Sequence, residues 1–312
     1  MAKIARLATQ LARDLAGPPR MGIILGSGFN SENVLDDHLE PDWRQNEYSF
    51  AQLGIRLPAV HGHSNSIVVS KWFGIPVVVS RGRVHLYQAF DQPELLRLWV
   101  GTILTLMGSE TRAIITNAVG SITHECPEGS LAIPSKLFSV LMQSVRYLKG
   151  SEGEFVSAGS VVAPNTQGCT HFKALSEHAA REAGLKLKSS VTYAAVVGPA
   201  YEDRGEIEFL QSQQVSTVGM SLVPELGLIA VENMDRKRIG EKTEDEDQSL
   251  EDWEKESPLK PLTVGPINFI TNDETEPKPA GEKAEHGKVL NVGKRHEAQL
   301  GKFLTALIKG NW

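Results

Sequence analysis

Arg81, Arg83 and His85 alternate through Ser80–Tyr87, SRGRVHLY, directly behind the apolar run GIPVVV. In an extended chain alternate side chains share a face, so the three would point the same way. Two readings are open. One is a strand end reaching solvent. The other is an anion site, because arginine's planar fork matches phosphate oxygens. Similar groups follow other apolar runs. Gly26-Ser27-Gly28 ends RMGIIL and offers backbone amides and a hydroxyl to an anion. Asn117, Ala118, Val119 and Gly120 follow RAIIT, and Tyr201 with Glu202 follows VVGPA. Met220 and Ser221 follow STVG, and Asn272 with Asp273 closes INFIT. Each group alone is ordinary: a Gly-Ser-Gly turn is commonly only a turn, and Tyr-Glu after Gly-Pro is commonly a surface corner. Gathered at strand ends, where open α/β sheets hold ligands, they would form a phosphate pocket, an apolar wall, and a carboxylate with an amide suited to a heterocycle.

The elements that must position them are legible as strands alternating with helices. Met21–Leu25, GIPVVVSRGR, TRAIITNAVGS, KSSVTYAAVVGPAYED, VSTVGMS and VGPINFITND read as strands. QPELLRLWVGTILTLMG reads as a helix with Pro93 near its start and Gly108 after its end. CTHFKALSEHAAREAGLK is amphipathic with Gly184 as its stop, VPELGLIAVE reads as a helix, and EHGKVLNVGKRHEAQLGKFLTALIK as one closing helix. Such alternation implies an α/β sheet covered on both faces. There is no internal repeat. Glu232–Leu262 is different: charged, poor in apolar residues and ending in two prolines, it reads as a solvated loop or disordered insertion, with Trp253 as the one anchor for a short helix.

Composition narrows the partners. The net charge is −6 over 312 residues. Glu232–Lys260 holds eleven acidic and six basic residues, a net of −5, so the remainder carries only −1. Nothing there supports a nucleic-acid surface. No stretch approaches the ~20 apolar residues of a membrane helix, and the N-terminal MAKIARLATQLARDLAG has charges throughout, unlike a signal peptide. The two cysteines, Cys126 and Cys169, read as reduced thiols of a cytoplasmic protein. Neither G-x-x-x-x-G-K-[ST] nor G-x-G-x-x-G at a strand–helix turn is present, which argues against a P-loop nucleotidase and a dinucleotide fold. His61-Gly62-His63 lacks a neighbouring carboxylate or third histidine at ligand spacing, so no metal is expected.

ILGSG, HGHSNSIVVS, RGRVHLY, ITNAVGS, VVGPAYED, STVGMSLVPEL, FITND and AEHGKVL occur in this order between about Gly22 and Leu290. In these stretches the chain resembles the trimeric purine nucleoside phosphorylases and their methylthioadenosine phosphorylase relatives. The resemblance implies one α/β domain over 1–312, with a mixed central β-sheet flanked by helices and a charged insertion at about 232–262. It also implies a cytoplasmic homotrimer that needs no cofactor beyond inorganic phosphate as co-substrate. By the same resemblance, phosphate is held by Ser27, His63, Arg83, His85, Ser221 and the backbone at Ala118, while Arg81 has no such role. Tyr87 and Met220 would meet the ribose, His286 the 5′-hydroxyl, Tyr201 the face of the base, Glu202 its N1–H edge, and Asn272 N7 and the 6-position. Asn272, His85 and Glu202 are the expected catalytic residues. The implied reaction is phosphorolysis of a purine nucleoside to free base and ribose 1-phosphate.

The pattern departs from the family in places. Ser121–Gly168 lacks the usual DHIN-like stretch, so the lid residue offered to a neighbouring subunit is open, with Phe155 as one candidate. GSGFN lacks a common third glycine, and Gln88 stands where glutamate is usual. Glu202 with Asn272 favours 6-oxopurines such as inosine and guanosine. Asp273 beside the 6-position would instead accept from a 6-amino group, which keeps methylthioadenosine or adenosine as the alternative. A nucleoside-binding protein without turnover is a second alternative.

Overall fold

The computed structural model describes residues 2–15, 17–27, 29, 32–58, 64–108, 112–139, 157–161, 167–245, 260–275, 286–310 and 312. One mixed sheet of nine strands organises them. In chain order these are β1 (Gly22–Leu25), β2 (Glu47–Ser49), β3 (Ser66–Trp72), β4 (Ile75–Arg81), β5 (Arg112–Ser121), β6 (Leu131–Phe138), β7 (Leu187–Ala195), β8 (Thr217–Gly219) and β9 (Thr263–Asp273). The spatial order is β2-β3-β4-β1-β5-β8-β7-β6-β9, and β9 also returns to pair with β5. So β5, β8, β7, β6 and β9 close a ring, while β1, β4, β3 and β2 extend from β5 as an open sheet.

The strand β5 is where the two halves meet. Along one edge it pairs in parallel with β9 for its whole length. Along the other it pairs with β1 at Ala113–Ile115 and then, antiparallel, with β8 at Gly120–Ser121. Thr116–Val119 lie between those two partners, and there the sheet splits. A split of this kind is the sheet's own opening for a ligand.

The expected helices cover both faces. On one side pack α1 (Ala2–Asp14), α3 (Glu94–Met107) and α6 (Val223–Asp245), with Leu96, Trp99, Ile103, Leu226 and Ile229 in a common core. On the other pack α2 (Glu32–His38), α4 (Gln167–Ala183) and α8 (Glu297–Lys309), around Val34, Phe172, Leu300, Phe303 and Leu307. Each such fully buried side chain contributes roughly 1.5–3 kcal/mol, so the sheet is anchored from both faces. The remaining helices are α5 (Arg204–Ser212) and α7 (His286–Arg295).

Three expectations are corrected. The closing helix is two, α7 and α8, with His296 at the break and its Nδ1 against the Val292 carbonyl oxygen. The helix starting at Val223 does not stop at Glu232 but continues to Asp245, through half of the segment expected as a loop. Its charges hold it: Glu232 pairs with Arg236 one turn on, Asn233 bonds the backbone of Leu262 in both directions, and Arg236 reaches the Lys260 carbonyl. Spaced at i,i+4 and tied to a returning strand, a charged stretch is a helix rather than a solvated loop. Trp253 lies outside the described residues. Third, the alternating trio is not a strand end reaching solvent: Arg81 and Arg83 are both buried and lie on different partners. Gly82 takes φ +116°, so the alternation ends there. Arg81 is buried over the Trp43 ring and pairs with Glu47 at 2.5 Å.

Candidate active site

The split beside β5 opens into a cleft of about 320 Å³, a size that suits a small organic ligand. Strand ends from across the chain line it, and of the expected residues it gathers Ser27, Arg83, His85, Tyr87, Ala118, Tyr201, Glu202, Met220, Ser221 and Asn272. His63 lies outside the described residues. His286 opens α7, and Val289 of the same helix lines the cleft.

One end of the cleft is polar, rigid and deep. Arg83 and Glu225 meet at 2.8 Å with each side chain only 1% exposed. A second guanidinium nitrogen donates to the Thr116 carbonyl oxygen. Arg83 is therefore fixed by two partners that lie far away in sequence. Burial pushes the Glu225 carboxyl up, opposed by the Arg83 charge. Thr116 also ties β1 to β5, accepting from the Gly26 amide at 3.0 Å and donating to the Ile24 carbonyl at 3.2 Å. A Cβ on Gly26 would sit 2.7 Å from the Thr116 oxygen, so only glycine lets these strands approach this closely. Ser221 is held by the buried Tyr193, whose hydroxyl donates to the Ser221 carbonyl at 2.7 Å and lies 3.3 Å from its amide.

His85 belongs to the same end, and its tautomer follows from its neighbours. Gln88 donates its Nε2 to the Pro58 carbonyl at 2.9 Å, which leaves Oε1 to face His85. That oxygen accepts from the His85 amide at 3.0 Å and lies 3.1 Å from Nδ1. An amide oxygen only accepts, so in this contact Nδ1 carries the proton. Glutamine suits this position because its amide end serves Pro58, which a carboxylate cannot do. Tyr87 stacks on the His85 ring, centroids 5.1 Å apart.

The other end is shallower and acidic. Tyr201 is 36% exposed. Burial, then repulsion from Glu274 and Glu206, pushes the Glu202 carboxyl up to about 7. Asn272 donates its Nδ2 to Glu274 at 2.7 Å, and the Thr271 hydroxyl lies 3.2 Å from its Oδ1. Consecutive strand residues normally face opposite ways, yet Thr271 and Asn272 both line the cleft. The register explains it: Val119 pairs with Ile270 and Gly120 with Asn272, so Thr271 is an extra residue in a β-bulge. Gly120 makes the room, since a Cβ there would lie 2.9 Å from Asn272 Nδ2. Asp273, which held the base preference open, faces elsewhere and accepts from the amide and hydroxyl of Thr275. The carboxylate on Asn272 is Glu274.

Sequence reasoning passed over Glu225, Thr116 and Tyr193, and it placed Asn117 and Gly120 at a strand end without giving either a role. Asn117 is 1% exposed at the cleft wall, and neither side-chain atom has a hydrogen-bond partner. Buried amides are normally paired, so this one is open to a ligand. Among the described residues no three of His, Cys, Asp and Glu come together as a metal site requires. No described helix is long and apolar enough to cross a membrane. Cys126 is buried, its thiol pushed up to about 11 by that burial.

The family model described as "Phosphorylase superfamily" matches residues 20–229, a span that takes in every cleft strand except β9. Purine nucleoside phosphorylase 1 of Bacillus subtilis is 26% identical over 224 residues, 72% of this chain and 78% of its own length. The purine nucleoside phosphorylase of Anopheles gambiae is 24% identical over 98% of this chain and 77% of its own. An S-methyl-5′-thioadenosine phosphorylase of Nitrosopumilus maritimus is 25% identical over 67% and 72%. In fold, the chain is similar to a schistosoma purine nucleoside phosphorylase solved with hypoxanthine, with a TM-score of 0.68, 17% identity and coverage of 99% and 97%. With more than half of its length matched by the family model and the cleft built by the matched strands, the chain belongs to the phosphorylase superfamily and is an enzyme of that family.

Proposed function

We propose that the enzyme is a purine nucleoside phosphorylase that cleaves 6-oxopurine nucleosides, releasing free base and (deoxy)ribose 1-phosphate. The observation that carries this is the polarity of the cleft beside β5: a fixed arginine and a histidine at one end, an amide and a titratable carboxyl at the other. Phosphate lies against Ser27, Arg83, His85, the Ala118 backbone and Ser221. The ribose sits over Met220 beside Tyr87, and the base stacks near Tyr201.

In this reading a phosphate oxygen forms the bond to C1′ as the C1′–N9 bond breaks. The bonding pair leaves with the purine and spreads toward N7, where the second Nδ2 proton of Asn272 can hydrogen-bond the developing charge. Phosphate stabilises the cationic sugar and then captures it. The chain supplies position and preorganised dipoles rather than a nucleophile. Glu202 in its ionised form accepts from N1–H, which 6-oxopurines carry and 6-aminopurines lack. The homotrimer and cytoplasmic location implied by the resemblance belong to this reading, with phosphate as the sole co-substrate.

A second reading, adenine nucleosides, is favoured by one observation: the acceptor-only Glu274 lies on Asn272 at the base end. The deciding experiment is release of base from inosine, guanosine, adenosine and methylthioadenosine, each with and without phosphate. Cleavage of inosine or guanosine only with phosphate supports the proposal. Cleavage confined to the adenine nucleosides transfers it to the second reading, and cleavage indifferent to phosphate overturns both.

A further inference from the structure

An asparagine amide can present either its N–H end or its oxygen to a base edge, and the two ends recognise opposite purines. Whatever fixes the flip therefore fixes the choice. Among the described residues two groups hydrogen-bond the Asn272 amide, and they differ in kind. The Thr271 hydroxyl can donate or accept, and it also reaches the Val119 carbonyl at 3.3 Å, so it would pair with either end of the amide. The Glu274 carboxylate only accepts, so at 2.7 Å it demands the N–H end.

We infer that Glu274 is a specificity-determining positioning residue: by holding Nδ2 it locks the flip of Asn272 and thereby sets the discrimination between 6-oxo and 6-amino purines. The inference rests on the phosphorolysis reading for its substrates. Three features make the lock local and firm. The bulge at Thr271 directs the amide into the cleft. Gly120 leaves room for it, since a Cβ there would lie 2.9 Å from Nδ2. Glu274 is anchored in turn by its own amide, which donates to the Ser121 carbonyl at 2.8 Å. The same carboxylate raises Glu202 across the base site, so both groups that would read the base edge feel Glu274.

The test is Glu274→Gln, which keeps size but can pair with either end of the amide. Glu274→Ala is the second variant, with thermal melting to report folding. The readout is the ratio of kcat/KM for inosine to that for adenosine, together with KM for phosphate. Losing one charge-assisted hydrogen bond is expected to move the ratio about tenfold toward unity in both variants, with KM for phosphate unchanged. A ratio unchanged within about twofold overturns the inference. Equal losses for both nucleosides with a raised phosphate KM also overturn it, because they would make Glu274 a support for the fold. Calorimetric affinities for free hypoxanthine and adenine separate this from the functional reading. If the wild type releases no base, phosphorolysis fails, while a changed affinity ratio in Glu274→Gln still upholds the lock and an unchanged one removes it.

Discussion

The two ends of the cleft are built by opposite strategies. At the anion end, the charged group is sunk in protein, and its partners come from distant chain segments: Arg83 on Glu225 and on the Thr116 carbonyl. At the base end, the groups lie within a few residues of each other in Thr271–Glu274, beside a half-exposed Tyr201. The first end is over-determined and should resist change in geometry but suffer in stability. The second is tuned by one or two hydrogen bonds and should change in selectivity while the fold survives.

The largest expected effect lies at the buried pair. Glu225→Ala leaves Arg83 uncompensated, and breaking such a pair costs about 3–5 kcal/mol; chemical denaturation should show it, and a loss under 1 kcal/mol would mean the pair does not hold this end together. Next is Asn272→Ala, expected to lower kcat by a factor of about 10²–10³ with little change in melting, as removal of one preorganised donor typically does. Steady-state rates check it, and full activity would end the role given to Asn272.

Smaller still is Gly120→Ala. Its Cβ would meet Asn272 Nδ2 at 2.9 Å and Val218 at 3.5 Å, so the amide must shift by a few tenths of an ångström. A loss of about fivefold in kcat for inosine, with KM for phosphate held, is the expected signature of ~1 kcal/mol of misplacement.

The mildest effect is a pH limb. With Glu202 titrating near 7, kcat/KM for inosine at saturating phosphate should fall as pH drops below that value, because the protonated carboxyl no longer accepts from N1–H. Glu202→Gln should flatten the limb. The stability sign is opposite: the raised carboxyl favours the protonated folded form, so stability declines as pH climbs from the ordinary carboxylate range through 7. The glutamine variant should escape that decline, melting about 2–4 °C higher than wild type at pH 8.

How much of this the sequence discloses follows the same division. The strands that carry the cleft announce themselves as apolar runs with polar ends, and Ser27, Arg83, His85, Glu202 and Asn272 are all legible at those ends. What joins them is not. Glu225 lies 142 residues from Arg83, and nothing local marks it. Arg81 looks like a twin of Arg83, but one glycine at positive φ sends it to Glu47. The bulge at Thr271 has no local signature either, and adjacency to Asn272 points to Asp273, whereas Glu274, two residues on, is the carboxylate on the amide. Among elements, β6 hides because Pro134 interrupts its ladder, with register shifts on both sides. The extension of α6 hides because its support comes from Leu262 and Lys260 on the returning chain.

The pairing of Arg83 with Glu225 has a kinetic consequence. A lone buried arginine would throw a positive field out of the cleft mouth and draw anions from several ångströms away, at a rate that dilute salt accelerates and concentrated salt quenches. Here the two charges cancel at 2.8 Å, and from outside the pair is only a small dipole. An oxyanion would arrive by ordinary diffusion and be recognised at contact. Its association rate should therefore hardly respond to ionic strength, while its residence depends on how well it fits the fixed fork.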